Sequence, residues 1–164
     1  MSLDERSPED FLVTTISDSF RGTNDSATLL DLYDDDIIEL YELGQAVSLT
    51  VWEGTRPTVR DSIYFEEFLD VKDKYSYLLG PLKTVISIET QSDSGRKLLV
   101  FKDSYAHCMM PMLLDDYSEI MLVDLRYYVA EPTYMEELHV SDYDQVLFMY
   151  SCDVFAHNYT SAKL

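Results

Sequence analysis

Asp103 and Ser104 stand side by side at the end of the apolar run Leu98-Leu99-Val100-Phe101. A serine hydroxyl there can attack an acyl carbonyl, provided that a base takes its proton and a carboxylate holds that base in place. The chain offers three histidines. His107 lies three residues past Ser104, so the two share a helical face. The same short helix would then carry nucleophile and base in a strained geometry, and an exposed or capping role suits His107 better. His139 comes near the end of a short predicted helix, where an imidazole complements the C-terminal dipole. His157 follows a later strand, with Asp153 ahead of it as a carboxylate partner. Ser104 has a second reading. Ser and Asp are favoured helix N-caps because their side-chain oxygens accept hydrogen bonds from otherwise unpaired amides. On the residues alone both readings stand.

Positioning such a serine requires a strand, a tight turn and a helix. The run 98–101 is short and continuously apolar, as in a strand buried on both faces. Cys108, Met109, Met112 and Leu113 then follow at helical spacing, and Asp115-Asp116-Tyr117-Ser118 closes the segment. A second apolar run, Ile120-Met121-Leu122-Val123, ends at Asp124. Strand, turn, helix and strand within about thirty residues predict a βαβ unit with parallel strands and a right-handed crossover. Ser104 then sits at the carboxyl end of a strand and beside a helix N-terminus. Open α/β sheets bind ligands there, and amide groups can stabilise a developing oxyanion. A short helix over 131–140 and a buried strand over 145–150 extend the pattern to βαβαβ, half of a doubly wound sheet.

The segment 97–128 resembles the carboxyl-terminal part of the bacterial DHHW proteins, which are similar to acyltransferase-like SGNH hydrolases of the alginate O-acetyltransferase type. The matching stretches are GRKLLVFKDSY (95–105), the Pro111 and Leu114 region, and YSEIMLVDLRYY (117–128). SDSFRGT near the start and YSYLLG before Pro81 extend the likeness more weakly. The resemblance implies a three-layer, flavodoxin-like α/β fold with a parallel sheet core. It puts the nucleophile on Ser104, next to Asp103, and the oxyanion hole on the Ser104 amide with a loop group such as Gly80. The implied activity is that of an O-acyl esterase or acyltransferase acting on acylated carbohydrate at a bacterial cell envelope. The family's Asp and His lie in an Asp-His-His-Trp motif that this chain lacks, which marks the chain as the serine half of a two-part site and a fragment of a larger protein. Two further positions depart from the SGNH pattern. Asp153-x-x-x-His157 is one residue longer than the usual Asp-x-x-His, and Ser151 stands near where relatives often place an oxyanion-donating Asn. A non-catalytic glycan- or protein-binding module of the same fold is the alternative.

The remaining sequence bounds these readings. At 164 residues the chain is long enough for one domain with a real core. Its halves differ, 1–90 being mixed and β-rich and 95–164 carrying the βαβαβ core. Hydrophobic residues make up 46% against a formal charge of −19, which places it among folded proteins. That charge repels phosphate backbones and anionic head groups, so nucleic-acid binding and basic-patch membrane attachment are disfavoured. No run of about 18 apolar residues predicts a membrane span, and the first residues lack an apolar signal core. Cys108 and Cys152 read as buried free thiols, too few for a disulfide framework, and no metal-ligand spacing is present. No glycine-rich phosphate loop follows a strand, so no nucleotide cofactor is expected. Asp34-Asp35-Asp36 lacks the spacing of a calcium loop and reads as a solvated acidic turn. In the N-terminal half, 11–16 predicts a strand and 17–27 a loop. The runs 37–43 and 46–52 predict a hairpin about Gly44-Gln45, and 59–65 follows a second turn, giving a small antiparallel element attached to the core. Trp52 and the tyrosines there read as packing residues before a sugar-binding surface. Residues 66–79 read as helix or helical turn stopped by Gly80-Pro81, and 84–89 as a strand. Oligomeric state is not legible.

Overall fold

The computed structural model describes residues 6–22, 34–42, 46–53, 56–81, 83, 85–127 and 138–156. Eight strands form two sheets. Strands β1 (Leu12–Phe20) and β2 (Asp36–Glu42) make an antiparallel ribbon. Strands β3 (Val47–Glu53), β4 (Arg56–Arg60), β5 (Val85–Thr90), β6 (Lys97–Lys102), β7 (Glu119–Val123) and β8 (Gln145–Met149) make a six-stranded sheet in the order β4-β3-β5-β7-β6-β8.

The predicted parallel unit is present. β6 pairs in parallel with β7 on one side and β8 on the other. The remaining pairs, β3 with β4, β3 with β5 and β5 with β7, are antiparallel. The sheet is therefore mixed, and the antiparallel strands continue its plane instead of forming a separate attachment. β5, β6 and β7 are buried on both faces, as their apolar runs demand. Ile86, Val100 and Leu122 point to one core cluster, and Val85, Leu99 and Met121 to the other.

Three expectations for the strands are corrected. The 37–43/46–52 hairpin does not form, because β3 buries Leu49 and Val51 in the large sheet and has both edges taken by β4 and β5. β2, with Leu40 its one buried side chain, pairs with β1. β1 runs on to Phe20, through residues expected to be loop. β8 is only half-buried, alternating with exposed Val146 and Phe148, since it forms the sheet's edge. Trp52 packs against the second core cluster, the packing role anticipated for it.

Helices are few. Residues 66–79 form two 3-10 turns, Glu66–Phe68 and Lys74–Tyr77. Most of the helix expected over 131–140 lies outside the described residues. The crossover from β6 to β7 is a 3-10 helix, Ser104–Leu113, with Pro111 inside it. Its buried residues are Ala106, His107, Met110 and Pro111, so the face expected from α-helical spacing is displaced and Met109 and Met112 are exposed. A 3-10 helix repeats every three residues, which aligns His107 with Met110. Cys108 and Cys152 are free and exposed, not buried.

Arg6 anchors the start of the described chain to this crossover, donating to the Met112 carbonyl (3.0 Å) and to buried Asp116 (2.7 Å). Asp35 of the acidic triplet pairs with Arg21 at 2.6 Å, an exposed contact in keeping with a solvated turn.

Leu79 and Gly80 adopt left-handed backbone, φ 63° and 75°. For Leu79 this is strained, and its buried side chain and an amide bond to the Ile63 carbonyl (2.8 Å) hold it there. A Cβ on Gly80 would come within 2.8 Å of the Phe65 ring, itself capped by the Arg60 guanidinium at 4.0 Å. Gly80→Ala is expected to lower stability by about 2–3 kcal/mol, combining left-handed strain and overpacking, read as a shift in urea midpoint.

Candidate active site

Ser104 lies at the carboxyl end of β6, between β7 and β8. Strand order β7-β6-β8 makes the gap between β6 and β8 the point where successive connections diverge, the usual ligand crevice of such sheets. The Asp103 amide donates to the Met149 carbonyl (3.1 Å) across that gap. The fully buried Asp103 carboxylate accepts from the amides of Tyr105 (2.9 Å) and Ser151 (2.6 Å). Asp103 is thus the N-cap, in extended backbone, and also pins the end of β8.

The ambiguity over Ser104 resolves structurally: it is the first helical residue and not the cap. Half-buried, its hydroxyl makes no hydrogen bond to another described residue, and its carbonyl accepts from Tyr75 Oη at 2.7 Å. The amides of Ser104 and Gly80 likewise bond to no described residue. The Ser151 amide is committed to Asp103, leaving its hydroxyl, which accepts from Val154 N at 3.4 Å.

His107 was expected to be exposed or capping and is instead fully buried. Its Nε2 is 2.8 Å from Lys102 Nζ, and its Nδ1 is 3.0 Å from the Leu78 carbonyl. An ammonium only donates and a carbonyl only accepts, so the ring is neutral with its proton on Nδ1. Burial, reinforced by the Lys102 charge, depresses its pKa to about 3. Both nitrogens are occupied, so His107 cannot accept the Ser104 proton. Tyr75, its hydroxyl pushed well above the usual phenol range by burial, stacks on the ring with centroids 6.2 Å apart.

Lys102 was not singled out from sequence. It is fully buried, with its ammonium 3.8 Å from Asp124, and burial depresses its pKa to about 8. Asp124 is also gripped by Arg126 through two side-chain bonds of 2.9 and 2.7 Å. Parallel register was the signal available. Phe101 pairs with Val123, so the next residues in each run, Lys102 and Asp124, are neighbours. Tyr150 completes the surroundings. Its buried hydroxyl has no partner among the described residues, and burial with the nearby Asp124 pushes it up to about 12.

The other anticipated residues are not brought to Ser104 by any described contact. Asp153 is exposed in the short helix Cys152–Ala156, and His157 lies outside the described residues. His139 is exposed and precedes the 3-10 turn Val140–Asp142, and most of the helix expected ahead of it lies outside the described residues. Among the described residues no three His, Cys, Asp or Glu side chains cluster to hold a metal, and no helix is long and apolar enough to cross a membrane.

The chain shares the fold of a DHHW family protein. That protein, from Eubacterium siraeum, superposes with a TM-score of 0.66 at 24% identity, over 88% of this chain and 49% of its own. Bacillus cereus PatB1 gives 0.65 at 19% identity, over 94% of this chain and 53% of its own. PatB1 carrying a sulfonyl adduct gives 0.67 at 21% identity, over 92% and 50%. The chain spans about half the length of these structures. No protein-family model and no curated protein matches the sequence. The likeness read from 97–128 thus extends to nearly the whole chain as a shared fold.

Proposed function

We propose that this chain is the serine-bearing part of an SGNH-like O-acyl esterase or acyltransferase, one domain of a larger bacterial protein that acts on acylated carbohydrate in the cell envelope. In this reading the sheet is the core of a three-layer SGNH-type fold. The observation that carries the proposal is Ser104 itself, at the β6/β8 crevice, with a hydroxyl that bonds to no other described residue and the capping duty taken by Asp103.

Ser104 Oγ attacks the ester carbonyl carbon while its proton passes to a base. The amides of Ser104 and Gly80 receive the oxyanion. Collapse expels the alcohol and leaves an acyl-serine, which water or a sugar hydroxyl then resolves. The base lies outside the described residues, either His157, with Asp153 as its carboxylate partner, or a further segment of the parent protein. Asp103 acts through the backbone, holding the turn, and Ser151 borders the crevice.

A sulfonyl adduct is known for one structural neighbour, so the probe of choice is a sulfonyl fluoride. The serine oxygen displaces fluoride from sulfur, and the hydroxyl proton goes to the base. Mass spectrometry is expected to find the adduct on Ser104 and to lose it in Ser104→Ala. A folded chain that takes no label up to pH 9 would sink autonomous serine chemistry. That outcome favours the second reading, a glycan-binding module, which is supported by the engagement of both His107 nitrogens. Glycan binding that survives Ser104→Ala would establish it.

A further inference from the structure

The largest fully buried side chain among the described residues, Lys102, is one that the serine chemistry leaves unused. An ammonium at the position of Lys102 loses all its hydration, whereas an aliphatic side chain would fill the same space without that penalty. Its contacts reach three separate segments. One proton goes to His107 in the 3-10 helix, and the charge faces Asp124 beyond β7. Through the other nitrogen of His107 it reaches the Leu78 carbonyl, just ahead of Gly80. Tyr75, stacked on the same imidazole, returns to the Ser104 carbonyl. The charged and titratable groups around Lys102 are thus His107, Asp124, Arg126 and Asp103, with Tyr75 and Tyr150 at the margins.

We propose that Lys102 is a positioning residue for Ser104: bridging neutral His107 and Asp124, it locks the Ser104 turn against the 78–80 segment and so fixes the separation of the Ser104 and Gly80 amides. Neither segment is tied to the other by a strand ladder, and Leu79 and Gly80 occupy left-handed backbone that needs outside support. A cation is the one group that can donate to an imidazole and neutralise a carboxylate at once. The role as positioner of a reacting group rests on the reading of Ser104 as the nucleophile. The geometric coupling does not.

The test compares amide hydrogen exchange in the wild-type chain and in Lys102→Met, alongside sulfonylation of Ser104 by phenylmethylsulfonyl fluoride. Exchange at Tyr105 and Leu79, the hydrogen-bonded amides beside Ser104 and Gly80, is expected to accelerate at least tenfold, with Leu99 and Leu122 in the strand centres changing less than twofold. Sulfonylation, measured where the variant is fully folded, is expected to slow at least tenfold. Uniform acceleration at all four amides, or none at Tyr105 and Leu79, overturns the proposal. A wild-type chain that takes no label refutes the serine chemistry, and exchange then decides the coupling alone. Should Lys102→Met not fold, His107 variants decide it. His107→Gln, whose amide can both accept from Lys102 and donate to Leu78, should keep exchange at Tyr105 and Leu79 within threefold of wild type. His107→Leu should raise it tenfold, and equal behaviour of the two refutes the bridge.

Discussion

Between pH 6.5 and pH 3 His107 is expected to withdraw about 5 kcal/mol of stability from the fold, at 1.36 kcal/mol for each pH unit between its two pKa values. In the unfolded chain an imidazole takes up a proton near pH 6.5, whereas in the native state burial and Lys102 delay uptake to about pH 3. Across that window the unfolded chain binds more protons, so stability present above pH 6.5 is lost as the pH falls. Acidification also reduces the chain's net charge of −19, and relief of that self-repulsion acts in the opposite direction. The contribution of His107 is therefore read as a difference. Urea unfolding from pH 7 to pH 4 should show a steeper loss in the wild type than in His107→Gln. Parallel curves would mean that the native imidazole protonates normally. Imidazole nitrogen shifts should report the Nδ1–H tautomer throughout. Lys102, depressed to about 8, obeys the same sign at the alkaline end, where its contribution to stability rises from about pH 8 toward pH 10.5.

Asp124→Ala is expected to cost about 3–5 kcal/mol, the largest effect of any single side-chain truncation in the site. Asp124 is fully buried, and it serves the equally buried Lys102 at 3.8 Å and the half-buried Arg126 at 2.7 Å. Removing it leaves a desolvated ammonium beside a neutral imidazole and the like charge of Arg126, with Asp103, beyond ion-pair distance, as its remaining carboxylate. Removing both charges should be far milder, because apolar groups of similar volume replace buried ion pairs with little net loss. A double-mutant cycle with Lys102→Met and Asp124→Leu should therefore recover at least half of the single-variant loss, measured by urea unfolding. Simple additivity would show that the two side chains do not sense each other.

β6 and β7 were readable because a strand buried on both faces needs an unbroken apolar run, which each supplies with turn residues at both ends, and β5 was readable from its alternation. The parallel pairing of β6 with β7 followed from the length of the crossover. Strand partners elsewhere were not readable. The runs at 37–43 and 46–52 look like a hairpin locally, yet β3 is claimed by β4 and β5 through burial of Leu49 and Val51. Local spacing carries no information about which edges are already occupied. The crossover was read at the wrong period, which misplaced its buried face and hid His107. At the site, the position of Ser104 was legible from the strand-turn-helix order, whereas the division of labour with Asp103 required seeing the Ser151 amide arrive from 48 residues away. Lys102 was overlooked because a lysine ending a strand normally reaches solvent. Only the register of two parallel runs could have exposed its pairing with Asp124.

The place of β7 in the sheet bears on how the chain comes to be folded as it leaves the ribosome. β7 is the strand that joins the antiparallel trio β4-β3-β5 to β6 and β8. Every residue of β5 and β6 has been synthesised before β7 emerges, so the nascent chain holds the β4-β3-β5 sheet and a lone β6, whose facing edges are unsatisfied. The sequence Val85-Ile86-Ser87-Ile88 on one of those edges is β-branched, uncharged and free of proline, the composition most apt to pair with another nascent chain. Slow translation or truncation just upstream of Glu119 should therefore favour aggregation, whereas chains extending past Val123 can seal both edges at once.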